Sequence, residues 1–266
     1  MIIAQISDLH VQRKGEFVSG RVDTAACLRR CVDALLKLEP RPDGVFASGD
    51  LVELGLAEEY QYLRELLAPL PLPVYLMPGN HDNRGNLRRE FRDHAYLDNG
   101  KAFLDYTVEA YPVRLIALDT VIPHQGGGLL RPEQLRWLDG QLGEQPSKPA
   151  LLFLHHPPFA TGIPWMDALA LANAEELGEI VGKYRNIEAV LCGHVHRSIC
   201  RRWHGTITMT CPSPAHQITL DLRRDSSETF TLEPPGFLLH YWNGTTLVSH
   251  TVPVGDYAGP YSFEEE

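Results

Sequence analysis

Five short apolar runs in this chain stop abruptly at acidic, amide or imidazole side chains, and that pattern constrains the fold most. IIAQI (2–6) leads through Ser7 to Asp8-Leu9-His10, and GVFAS (44–48) to Gly49-Asp50. VYLM (74–77) leads through Pro78 to Gly79-Asn80-His81-Asp82, LLFL (151–154) to His155-His156-Pro157-Pro158, and AVLC (189–192) to Gly193-His194-Val195-His196. Runs of this length suit buried strands. Helical periodicity fills the gaps. Residues 23–38 align Leu28, Cys31, Val32, Leu35 and Leu36 behind an Asp23 or Thr24 N-cap, and residues 57–67 align Tyr60, Leu63 and Leu67. Further helices are expected near 132–142 and 173–184, with a strand at 113–118. The alternation predicts an α/β core with mainly parallel strands. After residue 196 the pattern changes to short β-like runs. Residues 1–196 are therefore read as the core. Residues 197–266 are read as antiparallel strands completing a second sheet of the same domain, with the polar segment 223–235 as a hairpin-like arm or loop. The tail SFEEE is expected to fray.

Composition narrows the class. The chain has 266 residues, 44% of them hydrophobic, enough to bury a sizeable core. No run reaches the roughly 20 apolar residues that span a bilayer. The start MIIAQISDLH reads as a core strand, not a signal peptide, and no membrane partner is expected. The five cysteines (Cys27, Cys31, Cys192, Cys200, Cys211) are odd in number and contain no CxxC pair. They fit reduced thiols in a cytoplasm better than a disulfide framework or a structural zinc site. A net charge of −10 argues against a nucleic-acid polymer or an acidic membrane as partner, because both need a clustered basic face. A small anion remains admissible, since bound metal reverses the field locally.

Ligands gather at the carboxyl ends of strands in open α/β sheets, so five segments distant in sequence can converge on one site. They offer carboxylates, an amide and imidazoles but no thiolate, a set suited to divalent or trivalent Mn, Fe, Co or Zn. Seven or eight ligands are too many for one ion; a shared carboxylate would use them all, and Asp50 is the natural bridge. Two divalent ions against Asp8 and Asp50 leave a formal charge of about +2, attractive to a phosphate anion. Gly49, Gly79 and Gly193 let the backbone turn where a side chain would block the site. Each block alone has a bland reading: Asp-x-His as a polar turn, GNHD as a hairpin turn, HHPP as a buried histidine before a proline stop. GHVH is more specific, because histidines at i and i+2 of an extended segment point the same way. All five in order, each after a strand, form a strong signal.

This set resembles the calcineurin-like binuclear metallophosphoesterases, whose motif order is D-x-H, G-D, G-N-H-[DE], H and G-H-x-H; all five blocks are intact across residues 8–196. SGDLV, EEYQYLRELL, LMPGNHD, FLHHPP and, near the tail, DYAGP are most similar to bacterial glycerophosphodiesterases and cyclic-nucleotide phosphodiesterases. The resemblance implies a four-layer sandwich of two mixed β-sheets flanked by helices. It implies that Asp8, His10, Asp50 and His196 hold one metal ion and that Asp50, Asn80, His156 and His194 hold a second. His155, by strand alternation, is read as facing away. His81 is implied to stabilise the transition state or protonate the leaving alkoxide, and His216, in PSPAHQ, to contact phosphate. Asn80, His81 and His216 are thus the expected substrate contacts, and His81 and Asp50 the catalytic residues. Asp82 is expected to orient His81 or cap the next helix, and His94, His124, His204, His240 and His250 to have surface or packing roles. Phe159, Trp165 and Met166 are candidates for an apolar wall, with a core role equally open for Trp165.

The implied activity is hydrolysis of small phosphodiesters, glycerophosphodiesters or cyclic nucleotides, by a metal-bound hydroxide. The competing readings are a phosphomonoesterase or protein phosphatase on the same site, a non-catalytic scaffold, and a nuclease. Leu51-Val52-Glu53 after Gly49-Asp50 disfavours a protein phosphatase, the intact motifs disfavour a scaffold, and the acidic balance disfavours a nuclease. The 223–235 arm, and assembly of the relatives through their C-terminal parts, imply a homo-oligomer. With Leu at position 54 and no cysteine beyond Cys211, it should be non-covalent.

Overall fold

The structure is a computed structural model that describes residues 1–98, 100 and 102–263; residues 264–266 of the tail expected to fray lie outside the described residues. The elements in chain order are β1 (Ile2–Ile6), α1 (Thr24–Leu36), β2 (Gly44–Ser48), α2 (Ala57–Leu67), β3 (Val74–Met77), α3 (Arg84–Glu90), β4 (Tyr106–Val108) and β5 (Arg114–Leu118). They continue with α4 (Pro132–Glu144), β6 (Ala150–Leu154), α5 (Pro164–Asp167), α6 (Ala174–Val181) and β7 (Ile187–Cys192), then β8 (Ile199–Trp203), β9 (Thr206–Thr210), β10 (Gln217–Ile218), β11 (Phe230–Thr231), β12 (Gly236–Trp242) and β13 (Leu247–Pro253). The Asp23 carboxylate caps α1 by accepting from Ala26 N at 2.8 Å.

Two mixed sheets result. One runs β13-β12-β1-β2-β3 and the other β4-β5-β6-β7-β9-β8. β1, β2 and β3 are parallel, as are β5, β6, β7 and β9, while β12, β4 and β8 pair antiparallel to their neighbours. Strands beyond residue 196 join both sheets: β8 and β9 extend the second, and β12 and β13 extend the first beside β1. β10 and β11 form a separate two-stranded ribbon, which takes in part of the 223–235 arm.

The continuous apolar strands are explained by burial on both faces. In β6, Leu151 and Phe153 face the core between the sheets, whereas Ala150, Leu152 and Leu154 face α4 and α6. Phe46 of β2 stacks on Phe153 across the sheet interface with ring centroids 3.7 Å apart. Leu28, Cys31, Leu35 and Leu63 of α1 and α2 cover the other face of the first sheet. The layers are therefore helices, sheet, sheet, helices, the four-layer sandwich expected from sequence. Among the described residues no helix is long and apolar enough to cross a membrane.

Candidate metal centre

The carboxyl ends of β1, β2 and β3 in one sheet and of β6 and β7 in the other open toward one point. Asp8 N donates to Gly49 O and His10 N to Asp50 O, each at 3.0 Å, so the first two loops run side by side. Gly193 N donates to His155 O at 2.9 Å, and His194 N donates to the Asp8 carboxylate at 2.9 Å, joining the sheets. The His81 N–H donates to Asp50 Oδ1 at 2.9 Å. Asp8, His10, Asp50, His194 and His196 all have positive φ, between 46° and 71°. Such backbone costs on the order of 1–3 kcal/mol per residue and collects at functional sites. A Cβ on Gly49, itself at φ +100°, would strike the His155 ring, and one on Gly193 would strike the Ser7 hydroxyl. The glycines are thus required by close approach.

Six of the seven expected ligand residues gather at the centre. His10 Nε2 lies 3.1 Å from His196 Nε2 and 3.7 Å from Asp50 Oδ2, and His196 Nε2 lies 3.5 Å from Asp8 Oδ1. His194 Nδ1 lies 3.1 Å from Asn80 Oδ1. The 155–156 pair differs from the sequence expectation. His156 stands beside His155 and His194, the three offering ring nitrogens within 4.8 Å of one another, while its Nδ1 pairs with the Thr120 hydroxyl at 2.7 Å and its Nε2–H donates to Gly126 O at 3.0 Å. His155 turns inward, giving its Nδ1–H to Ser48 O at 2.9 Å and placing Nε2 3.2 Å from Asp50 Oδ2 and 3.9 Å from Asp8 Oδ1.

The protonation pattern fits a cation site. His10 donates Nδ1–H to Glu53 Oε2 at 2.6 Å, and His196 donates Nδ1–H to His216 O at 3.0 Å. In the neutral rings the two Nε2 lone pairs therefore face each other, and the His155 lone pair faces two carboxylates. A positive charge relieves each repulsion. Burial disfavours charge on His10 and His155, yet Glu53, Asp50 and Asp8 around the first, and Asp50 and Asp8 around the second, raise both to about 9. Burial raises Asp8 to about 6, whereas His155, His81 and His10 hold Asp50 well below the carboxylate range despite its burial. Burial depresses His194 to about 3 and His196 far below the imidazole range. The His and Asp groups thus form clusters able to bind metal ions.

A polar cleft of about 630 Å³ opens beside this centre, lined by Glu53, Asn80, His81, Asn83, His124 and Gln125 among others. His81 donates Nδ1–H to Glu53 O at 2.8 Å and is more than a third exposed. His216 precedes β10 and packs its ring 4.7 Å from His196 and 5.5 Å from His10, centroid to centroid, with its Nδ1 buried and unpartnered. His124, read from sequence as surface or packing, stands at the cleft rim. Asp82 neither touches the His81 ring nor caps α3; Asn83 caps it, while Asp82 accepts from Gly79 N, Leu51 N and the Tyr60 hydroxyl. It holds the loop rather than the ring. Met166 packs with Ile163, Val195 and Ile218, and Trp165 borders them, while Phe159 joins the core under β6 and β7. Phe159 and Met166 are buried in this packing. Glu53, which sequence reading used only against a protein phosphatase, was not singled out as a site residue.

A family model for the calcineurin-like phosphoesterases matches residues 1–198. The chain is 41% identical to a probable glycerophosphodiester phosphodiesterase GpdQ of Arcobacter nitrofigilis, covering 100% of this chain and 98% of the relative. It is 29% identical to the 3′,5′-cyclic adenosine monophosphate phosphodiesterase CpdA of Escherichia coli K12, over 89% and 86% of the two chains. A dimetal phosphatase from Danio rerio shares the fold, with a TM-score of 0.73 at 15% identity over 96% and 97% of the chains. With its motifs converged on one buried His and Asp cluster, the chain belongs to the calcineurin-like phosphoesterase family.

Proposed function

We propose that the chain is a phosphodiesterase acting on small phosphodiesters at a two-metal centre. The observation that carries this reading is the place of Asp50 Oδ2, 3.7 Å from His10 Nε2 on one side and 3.2 Å from His155 Nε2 on the other. Asp8, His10, Asp50 and His196 would hold one ion, and Asp50, Asn80, His155 and His194 the other. Mn, Fe, Zn or Co suits these donors. When bound, such a pair supplies Lewis acidity and acidifies water.

The chain's own groups do the rest. His216 offers its free Nδ1 to a phosphoryl oxygen. His81 presents Nε2 to the cleft; with Nδ1–H given to Glu53 O, only the doubly protonated ring carries a proton there, and that proton can bond the ester oxygen or pass to the leaving alkoxide. A diester presents the second ester oxygen that this arrangement serves. The cleft volume admits a small ester, in keeping with the names of the GpdQ and CpdA relatives. Leu220, Leu222 and Leu232, exposed on and beside the β10–β11 ribbon, support a non-covalent homo-oligomer through the 223–235 arm. Light scattering on a chain lacking that arm tests it, and an unchanged oligomer or a monomeric full-length chain refutes it. The five free cysteines support a reducing, cytoplasmic location. The activity is tested with excess Mn on bis(p-nitrophenyl) phosphate, a glycerophosphodiester, a cyclic nucleotide and p-nitrophenyl phosphate. Higher kcat/KM for the diesters is expected; a clear preference for the monoester overturns the reading.

A further inference from the structure

We propose that Glu53 is a positioning residue shared by the metal centre and His81, an assignment that rests on the two-metal reading above. Its N–H donates to Val11 O at 3.2 Å, which locks its backbone to the loop carrying His10. Its carboxylate accepts His10 Nδ1–H at 2.6 Å, and its carbonyl accepts His81 Nδ1–H at 2.8 Å. The two rings meet edge-on with centroids 4.7 Å apart. One residue therefore fixes the tautomer of both histidines. With Nδ1–H committed, His10 must point its Nε2 lone pair at the Asp50 and His196 group, and His81 must leave Nε2 to the cleft.

The two roles separate along the residue. The carboxylate serves His10 first, with Oε2 2.6 Å from His10 Nδ1 and 3.7 Å from His81 Nδ1, while the carbonyl serves His81, so a substitution at 53 disturbs His10 most and leaves the carbonyl bond to His81 in place. The carboxylate does more than orient. It balances the charge that a cation would draw onto the imidazole, and a ring so paired is a stronger ligand. Its side chain is only 19% exposed, so little water competes for the bond. A side chain with no acceptor would leave His10 free to rotate or to carry its proton on Nε2, where it cannot bind an ion.

The test uses full-length Glu53→Ala and Glu53→Gln, with His10→Ala beside them. Mn binding to metal-free protein is measured by titration calorimetry, and unfolding of the metal-free protein is measured separately. Glu53→Ala is expected to weaken one Mn site by about 10–100-fold, and Glu53→Gln by less, because an amide oxygen still accepts from Nδ1–H. Metal-free stability should stay close to that of the wild type. Wild-type Mn affinity in both Glu53 variants overturns the proposal, as does a loss of metal-free stability with unchanged affinity. If Glu53→Ala does not fold, Glu53→Gln alone decides. Should His10→Ala bind both ions as the wild type does, the two-metal reading fails. Should His10→Ala lose an ion while the Glu53 variants bind normally, only the role of Glu53 fails.

Discussion

His155 Nε2 lies 3.2 Å from Asp50 Oδ2, while the neighbouring His156 gives both its ring nitrogens to Thr120 and Gly126. We therefore propose His155 as the inward ligand and His156 as a structural clamp beside it. His155→Ala should weaken one of two Mn sites and cut activity at limiting metal. His156→Ala should keep both sites and lower stability by about 1–3 kcal/mol, the cost of unpaired buried partners. Calorimetry with Mn and urea unfolding check the two outcomes; the reverse pattern would restore His156 as the ligand.

Asp50 should matter more than any terminal ligand. Protein loaded with excess Mn and desalted cold should carry close to two ions per chain by elemental analysis. Asp50→Ala should lose both and fall by on the order of 10³-fold in kcat, about 4 kcal/mol in barrier. Asn80→Ala should lose mainly one ion and recover at high Mn. A ceiling of one ion with full activity is incompatible with the proposed centre.

The His81 assignment separates by leaving group. Glycerol needs a proton on departure and nitrophenolate does not, so His81→Ala should cost about 10²-fold more with the glycerol ester. Equal losses in kcat for the two esters would leave His81 with phosphate binding only.

Arg84 anchors the His81 loop to the second sheet. Its guanidinium donates to Asp119 Oδ2 at 2.5 Å and Oδ1 at 2.7 Å, and Asp119 is fully buried. Arg84→Ala strands that carboxylate with only its backbone donors. The expected cost is about 3 kcal/mol in urea unfolding, with part recovered in Arg84→Lys. A loss below about 0.5 kcal/mol, the level of an exposed pair, would contradict this anchoring.

Much of the site can be read from the chain because its ligand candidates follow directly on strands; Asp8, Asp50 and His194 are examples. The 155–156 choice could not be read that way. Alternation applies within a strand, and β6 ends at Leu154, before either histidine. What turns His155 inward is the Ser48 carbonyl, and what holds His156 is a loop 30–36 residues earlier. Glu53 was hidden for the same reason. Its importance comes from a hydrogen bond to His10, 43 positions away, and no local pattern encodes it. The α/β alternation was plain, but the antiparallel neighbour of β1 lies more than 200 residues downstream.

Acid should act on His240. This ring is buried on β12 between Gln5 and Ser249, and burial lowers it to about 3. The unfolded chain takes up a proton near pH 6.5 that the folded ring refuses until about pH 3. The stability contribution of neutral His240 is therefore complete above pH 6.5 and lost as pH falls through that window. Relative to His240→Gln, wild-type stability should drop by about 1.4 kcal/mol per pH unit below about pH 6. Urea unfolding at pH 7.5, 6.5 and 5.5 measures it; a pH-independent difference would mean that the buried ring does titrate.

The pairing of β1 with β12 also sets an order of events during synthesis. β1 leaves the ribosome long before β12, so Gln5 to Ile2 have one open edge until Leu238 to Tyr241 are made. The loop that carries Asp8 and His10 grows from that strand, and its Asp8 carbonyl waits for the hydroxyl of Ser213. A nascent chain therefore holds its first two ligand candidates without the framework that fixes them. Pairing across so long a stretch is slow, so ion capture waits until the chain through β12 has emerged.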